Sequence, residues 1–235
     1  MLKDKARAYF SAVNNYDAST IEEMVDENYI QHNPFVPTGR AAFVSLLPKL
    51  KTFGSKIKNI RMLQDGQHII MHHKWENAQP FGHDSVAAFH IIRFDNEGLI
   101  AEHWSVMTKD ICSIASGMSL TDGVTQIEDL HRTNENRATI ARLFAKLIAT
   151  KEAPAELPDF MNERLSRLKL NYLKQHKVFA EGNFVLSISE ANRNQISTAV
   201  YDLFRFNNEK IAEHWAVMQE IPKDNLANSN TMFGF

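Results

Sequence analysis

The chain has 235 residues, 44% of them apolar and 23% charged, so it can bury one large core or two small ones. A formal net charge of -2 provides no positive field for a phosphate backbone, which argues against nucleic acid as a partner. The opening MLKDKARAYF places charges where a secretory signal needs an apolar run, and no stretch is long enough to span a bilayer. We therefore expect a cytoplasmic protein without a membrane partner, and the lone Cys112 suits a reducing compartment.

The first half is predicted to contain helices followed by strands. Apolar residues recur at helical spacing from Leu2 to Val13 and from Phe43 to Leu50, and a capping-box pattern at Ser19 opens a short helix between them. The hydrophobic period then becomes that of strands over 57–63, 68–75, 86–94 and 99–106, with turn sequences between them. This order predicts an α+β domain whose helices lie on one face of a curved antiparallel sheet.

The second half repeats the end of the first. Residues 93–107 read RFDNEGLIAEHWSVM and residues 205–218 read RFNNEKIAEHWAVM, a match too long to arise by chance. We therefore predict two diverged copies of one domain, with copy one at 1–112, a linker at 113–133 and copy two at 134–235.

Copy two is predicted to keep the same order of elements. Its pattern indicates a first helix over 140–148, a helical segment over 162–176, and strands over 184–189, 198–206 and 211–218.

Several motifs carry a family resemblance. Tyr-Ile-Gln-His-Asn-Pro at 29–34 precedes Gly39-Arg40, a strand ends in Phe-Arg-Phe at 204–206, and both halves contain Glu-His-Trp. This combination resembles the SnoaL-like polyketide cyclase branch of the nuclear transport factor 2-like superfamily, over both halves. The resemblance implies two cone domains, each with an apolar pocket, arranged as an internal pseudo-dimer. It leaves further homo-oligomerisation open.

The resemblance also implies a chemistry. Such cyclases use no metal or organic cofactor, and a pocket carboxylate removes a proton next to a carbonyl of a small apolar molecule. An apolar pocket suits this task because it raises the pKa of the acid toward neutrality. The acid is expected in the strand that ends Phe-Arg-Phe, where this chain has His90 in copy one and Asp202 in copy two. Copy one keeps the His-Asn-Pro loop, and copy two keeps the acid.

Imidazoles can exchange protons near neutral pH without a large pKa shift, and seven of the ten histidines lie in copy one. The candidate catalytic residues are His32, His90, His103 and Asp202. The candidate ligand-binding residues are Tyr29, Asn33, Arg40, Trp75, Trp104, His214 and Trp215. Structural alternatives stay open for His32 as a loop cap, for His103 and His214 as strand ties, and for the tryptophans as core residues.

A metal site is not predicted, because His72 and His73 are adjacent on a strand and point to opposite faces. Three functions remain open. The first is a cofactor-free acid/base catalyst of the aldol cyclase, lyase or isomerase type, with His32 and His90 in the leading roles. The second is a binding protein for a similar ligand, and the third is a scaffold with vestigial pockets.

Overall fold

The computed structural model describes residues 1–110 and 119–235, which form two compact units. Unit 1 comprises Met1–Asp122 together with Lys223–Gly234, and unit 2 comprises Gly123–Pro222 together with Phe235. Cys112 and the predicted boundary between copy one and the linker lie outside the described residues. The repeat alignment assigns 223–234 to copy two, whereas the structure places them with unit 1.

Unit 1 is an α+β domain in which helices pack on one face of a single sheet. Its helices are α1 (Leu2–Asn15), α2 (Ala18–Met24), α3 (Arg40–Val44) and α4 (Leu47–Phe53). Its strands are β1 (Val25–Gln31), β2 (Lys56–Asp65), β3 (His68–Glu76), β4 (Ser85–Phe94) and β5 (Ile100–Lys109). The sheet order is β1-β5-β4-β3-β2, in which β1 is parallel to β5 and the other pairs are antiparallel.

Helix α1 packs on the sheet through the spacing seen in the sequence. Ala6, Tyr9, Phe10 and Val13 are buried on its inward face, as expected for an amphipathic helix. The helix ends at Tyr16, which adopts the left-handed conformation with φ of 57°. Asp17, rather than Ser19, caps α2, because its side chain accepts a hydrogen bond from the Thr20 amide at 3.2 Å.

We call the sheet face that packs on α1 the inner face of unit 1. Its apolar core joins α1, α2 and α4 to alternate positions of the strands, among them Ile69, Met71, Ala88 and Ile92. Because side chains alternate along a strand, the neighbours of these residues point to the opposite, outer face.

Unit 2 has two helices and a four-stranded antiparallel sheet in the order β6-β7-β8-β9. The helices are α5 (Thr133–Thr150) and α6 (Asp159–Leu168), and the strands are β6 (Leu170–Glu181), β7 (Phe184–Arg193), β8 (Ile196–Asn207) and β9 (Lys210–Glu220). The helix predicted over 162–176 is therefore wrong in its second part, since residues from Leu170 onward pair with β7. Each half is thus an α+β domain with its own sheet on helices, as predicted.

None of the helices in the described ranges combines the length and the apolar character that crossing a bilayer requires.

Candidate functional site

Three histidines lie side by side on the inner face of unit 1. His73 on β3, His90 on β4 and His103 on β5 occupy neighbouring strands, and each is at most 5% exposed. The His90 ring lies between the other two, with ring centroids 5.1 Å from His73 and 5.0 Å from His103. We call these residues the inner histidine cluster.

Aromatic side chains surround the cluster. The Phe10 ring of α1 approaches His73 edge-on at 4.6 Å and His90 at 5.9 Å between centroids. Trp75 lies on the same strand as His73, two residues further along, and therefore points to the same face. Strand alternation puts His90 on the same face as Ala88 and Ile92, and both belong to the apolar core of the inner face.

Hydrogen bonds connect the cluster into a buried polar chain. Trp75 Nε1 lies 3.2 Å from His90 Nε2, and His90 Nδ1 lies 2.8 Å from His103 Nε2. His103 Nδ1 in turn lies 3.0 Å from the Gln31 amide nitrogen, which also donates to the Tyr29 hydroxyl at 2.9 Å. The Gln31 carbonyl oxygen accepts the backbone N–H of Asn33 at 2.8 Å.

Burial keeps the cluster neutral. It lowers the pKa of His73, His90 and His103 well below the usual value of 6.5, because a charged imidazole loses its hydration in an apolar interior. Neighbouring histidines of the cluster lower each pKa further. Each ring therefore carries one nitrogen that donates an N–H and one nitrogen that can accept through its lone pair at neutral pH.

His73 differs from its neighbours in its hydrogen bonds. It is 0% exposed, and within the described part of the chain neither of its ring nitrogens has a hydrogen-bond partner. Buried polar groups in folded proteins nearly always have partners, and an exception calls for an explanation such as a ligand or a catalytic role. His73 is therefore the member of the cluster with an available lone pair.

Comparison with known proteins identifies the domain that holds this cluster. Residues 6–103 match the family described as the SnoaL-like domain. This match covers less than half of the chain, and we refer to unit 1, which contains it, as the SnoaL-like domain. A comparison with curated proteins gives no match.

Several solved structures are similar to a part of the chain. TsrD from Streptomyces laurentii is 16% identical, with 45% of this chain matched to 86% of that one and a TM-score of 0.38. IdmH from Streptomyces antibioticus, provisionally designated a polyketide cyclase, is 16% identical, with 46% matched to 91% and a TM-score of 0.38. A protein of Kribbella flavida, provisionally designated a ketosteroid isomerase, is 16% identical, with 47% matched to 79% and a TM-score of 0.41.

The structure does not bring His32 to the inner histidine cluster of the SnoaL-like domain. The His32 ring stacks on Trp104 at 4.5 Å with an interplanar angle of 4°, and Trp104 follows His103 on β5 and so points to the opposite face. His32 Nδ1 lies 2.8 Å from the Thr231 carbonyl oxygen, and Nε2 lies 3.1 Å from Glu102 Oε2. His32 and Trp104 thus belong to the outer face.

Two further candidate residues hold the backbone of the SnoaL-like domain. The Asn33 amide donates to the Ser105 carbonyl and hydroxyl oxygens at 3.2 and 3.0 Å. The Arg40 guanidinium donates to the carbonyl oxygens of Glu22 and Val25 at 2.9 and 3.1 Å, so it ties the start of α3 to the end of α2. Ser105 pairs with His90 across β4 and β5, so the Asn33 contact adjoins the inner histidine cluster, whereas the Arg40 contact joins α2 and β1.

The tail of the chain, 223–234, binds the loop that follows β1. The Asn228 amide donates to the carbonyl oxygens of Asn33 and Val36 at 2.8 and 2.7 Å. The Asn230 amide donates to the Gln31 carbonyl oxygen at 3.0 Å, and the Ala227 amide donates to the Pro34 carbonyl oxygen at 2.8 Å. The tail therefore satisfies the backbone of the 31–36 loop, which supplies Gln31 to the polar chain.

Unit 2 has a different polar group at the corresponding sheet positions. Asp202 on β8 occupies the place of His90, and His214 on β9 occupies the place of His103. Asp202 is 1% exposed, its Oδ2 accepts the Tyr172 hydroxyl at 2.7 Å, and its Oδ1 lies 2.8 Å from His214 Nε2. Both carboxylate oxygens are therefore bound by side chains of unit 2.

Trp215, which follows His214 on β9, is also buried. Trp215 is 4% exposed, and its ring is tilted against Phe184 at 6.3 Å between centroids. Because it follows His214 directly on β9, it points to the other face of the unit 2 sheet.

On the outer face of unit 1, Arg61 and His72 form a second buried pair. Arg61 is 1% exposed, and its Nη1 lies 3.1 Å from His72 Nδ1. Burial, with a smaller contribution from the Arg61 charge, lowers the pKa of His72 to about 3. Among the described residues, no group of three or more His, Cys, Asp or Glu side chains could hold a metal ion.

Three residues of these polar groups, His73, Gln31 and Tyr172, are not among the candidates predicted from the sequence. His73 was considered only as a metal ligand with His72, although strand alternation already placed it on the face of Trp75. Gln31 was within the recognised motif at 29–34 but carries no chemistry of its own. Tyr172 lies in the segment predicted to be helical, so its position on β6 next to Asp202 had no signal in the pattern.

Proposed function

We propose that the SnoaL-like domain binds a small apolar carbonyl compound at its inner face and exchanges protons with it through the inner histidine cluster. The observation that carries this proposal is His73, a buried imidazole whose nitrogens have no partner among the described residues. It supports a site because an unpaired group of this kind, beside other neutral imidazoles, is typical of functional positions.

The proposed chemistry begins at a C–H bond next to the carbonyl group. The bond breaks, its proton goes to the free lone pair of His73, and its electron pair moves onto the carbonyl oxygen as an enolate. Return of the proton to another carbon gives an isomerase, and attack of the enolate on a second carbonyl gives an aldol cyclase. No organic cofactor or metal enters this scheme.

Within this scheme His90 and His103 act beside His73, and His32 has no direct part. Trp75 and Tyr29 provide the aromatic and polar surroundings of the ligand. His32, Asn33, Arg40 and Trp104 support the loop and the sheet instead, a role that their hydrogen bonds and stacking favour.

Unit 2 is proposed to be non-catalytic. Both oxygens of Asp202 have side-chain partners in Tyr172 and His214, whereas neither nitrogen of His73 has a hydrogen-bond partner among the described residues. This arrangement favours a structural role for Asp202, His214 and Trp215. It corresponds to the scaffold hypothesis for this half of the chain.

The catalytic proposal is tested by hydrogen exchange at carbon. Cyclohexanone and other small cyclic ketones are incubated with the protein in D₂O, and the loss of the α-hydrogen signals is followed by NMR. We expect the wild type to accelerate exchange by about 10²-fold or more over buffer, the usual contribution of general acid–base catalysis. His73→Phe should return the rate to that of buffer.

The control is His83→Phe, which makes the same change at an exposed turn position and should leave the rate unchanged. If the wild type exchanges no ketone faster than buffer, the catalytic proposal fails. Ketone binding without exchange would then favour the hypothesis of a binding protein.

A further inference from the structure

The donor and the acceptor of each hydrogen bond in the polar chain can be assigned in turn, starting from Asn33 in the loop after β1. The backbone N–H of Asn33 can only donate, so the Gln31 oxygen must face it, and this fixes the orientation of the Gln31 amide. The Gln31 amide nitrogen then donates to Tyr29 and to His103 Nδ1. His103 Nδ1 therefore accepts, and the single proton of the neutral ring lies on Nε2.

The stacked rings of His103 and His90 continue the series of donors and acceptors. His103 Nε2–H donates to His90 Nδ1, which lies 2.8 Å away, so His90 Nδ1 accepts. A neutral His90 must then carry its own proton on Nε2. Starting from Asn33, every ring proton in the chain is thus assigned to Nε2.

The other end of the chain contradicts this assignment. The Trp75 indole nitrogen can only donate, and it faces the same His90 Nε2. Two N–H groups therefore meet, and their contact of 3.2 Å is the longest in the chain, whose other contacts are 2.8 to 3.0 Å. Protonation of a ring would only add another donor. The conflict disappears if an acceptor atom that is not part of the polar chain accepts hydrogen bonds from both Trp75 Nε1–H and His90 Nε2–H.

We propose that Trp75 Nε1–H and His90 Nε2–H together bind one acceptor oxygen of the ligand. The contact of 3.2 Å between the two nitrogens lets a single oxygen lie within hydrogen-bond distance of both. Two N–H donors in a buried site stabilise a carbonyl oxygen and, more strongly, the negative charge of an enolate oxygen. The site rejects an ammonium group, which offers only donors.

This inference rests on the proposed function for the identity of the ligand, and it assigns that ligand's orientation. His90 becomes an electrophilic donor to the oxygen rather than a base. The base is His73, whose ring lies 5.1 Å from that of His90 between centroids. The carbonyl oxygen therefore faces Trp75 and His90, and the acidic C–H faces His73.

The proton assignment is tested without any ligand. The ¹⁵N shifts of the histidine rings in protein labelled at histidine distinguish the two neutral forms, and His90→Phe identifies the His90 signals by their loss. We expect His90 and His103 both to carry the proton on Nε2. A proton on His90 Nδ1 would overturn the inference, because Nε2 would then accept the Trp75 N–H and the chain would need no external oxygen.

The oxygen site itself is tested with cyclohexanone. Titration should shift the indole N–H signal of Trp75, while the indole signals of Trp104 and Trp215, on the other sheet faces, provide the internal control and stay in place. Trp75→Phe keeps a ring but removes the donor, and it should slow the ketone exchange by about 10²-fold, the usual loss for one such donor.

These results separate the two proposals. A Trp75 shift without any ketone exchange supports the oxygen site and contradicts catalysis. Rapid exchange that Trp75→Phe leaves unchanged, with no Trp75 shift, overturns the oxygen site while the proposed function stands. The absence of a Trp75 shift at saturating ketone overturns the oxygen site in either case.

Discussion

At the residue scale, we expect the His73 ring to lower the stability of unit 1, because neither of its nitrogens has a partner among the described residues. A buried imidazole without partners has lost its hydrogen bonds to water and gained none in return. We predict that His73→Phe raises the free energy of unfolding by about 1–2 kcal/mol, since it replaces an unsatisfied ring with an apolar one. Urea denaturation measures the change, and a loss of stability would mean that the His73 nitrogens do have partners.

His90→Phe is the matched substitution on the next strand, and its effect should have the opposite sign. It leaves His103 Nε2–H without its acceptor, His90 Nδ1. We expect a decrease of about 1–3 kcal/mol in the free energy of unfolding, the cost of stranding buried polar groups. Equal stability of both variants would contradict the difference in hydrogen bonding between His73 and His90.

Asp202 is expected to be a stabilising residue of unit 2. Removing its carboxylate in Asp202→Ala strands the Tyr172 hydroxyl and His214 Nε2, and we predict a loss of about 2–4 kcal/mol because hydrogen bonds to a charged group are the strong ones. The exposed Asp224→Ala is the control and should change stability by less than about 0.5 kcal/mol. Thermal and urea unfolding give the two values.

For single residues, the sequence indicates the sheet face of a strand residue but not its hydrogen-bond partners. Strand alternation places His90 on the face of Ala88 and Ile92, because the pleat fixes side-chain direction once a strand is assigned. It could not reveal that His73 lacks partners, which depends on what the other elements bring to it. The His32 prediction depended on a loop, where no such periodicity applies.

At the scale of elements, the contact between the tail and the 31–36 loop could not be predicted from the order of elements along the chain. Asn228 lies about 195 residues from its partner Asn33, so only the fold brings them together. We predict that Asn228→Ala loosens the loop and lowers the free energy of unfolding of unit 1 by about 1–2 kcal/mol, since two hydrogen bonds are lost. Amide hydrogen exchange in residues 31–36 should become faster.

Ser229→Ala provides the control for the tail, because Ser229 is exposed and lies directly beside Asn228. It should leave both the stability and the exchange of the loop unchanged. Unaltered exchange in Asn228→Ala would mean that the loop holds its conformation without the tail.

Long periodic elements were predictable, and short or edge elements were not. Helix α1 and strands β3 to β5 follow from their hydrophobic periods. Strand β1 was missed because its sequence, VDENYIQ, is largely polar and it pairs in parallel with the distant β5. Residues 170–176 read as helical because apolar residues at helical spacing continue past α6, whereas sheet pairing with β7 decides their structure.

On the scale of the whole molecule, the last two strands of each unit pair in the same way, but the polar side chains on them differ. Both repeat the strands that carry Glu-His-Trp, yet unit 1 places two histidines where unit 2 has Asp202 and His214. This difference explains why the catalytic and structural hypotheses apply to separate halves. The predicted pseudo-dimer of the two sheets stays a prediction.

The buried histidines also determine how stability depends on pH. Each ring has a pKa near 6.5 in the unfolded chain and a lower pKa in the folded protein, where that of His72 is about 3. The unfolded chain therefore binds protons more readily. The contribution of these neutral rings to the free energy of unfolding is therefore complete above pH 6.5, and it is lost as the pH falls toward 3. For His72 alone the loss at pH 5 is about 2 kcal/mol.

The same direction applies to His73, His90 and His103, whose pKa values burial also lowers. We therefore predict that the free energy of unfolding falls by more than 2 kcal/mol between pH 7 and 5, a margin that scales with the number of buried rings. Urea denaturation at several pH values measures it. His73→Phe should make the dependence shallower, and a flat profile would contradict the burial of these rings as neutral groups.

The most direct test of the central claim is a crystal structure of the protein with bound cyclohexanone. The account predicts density for the ketone inside unit 1, with its oxygen within hydrogen-bond distance of Trp75 Nε1 and His90 Nε2 and an α-carbon facing His73. A ketone bound elsewhere, or an inner face closed by its own side chains at saturating ketone, would contradict it.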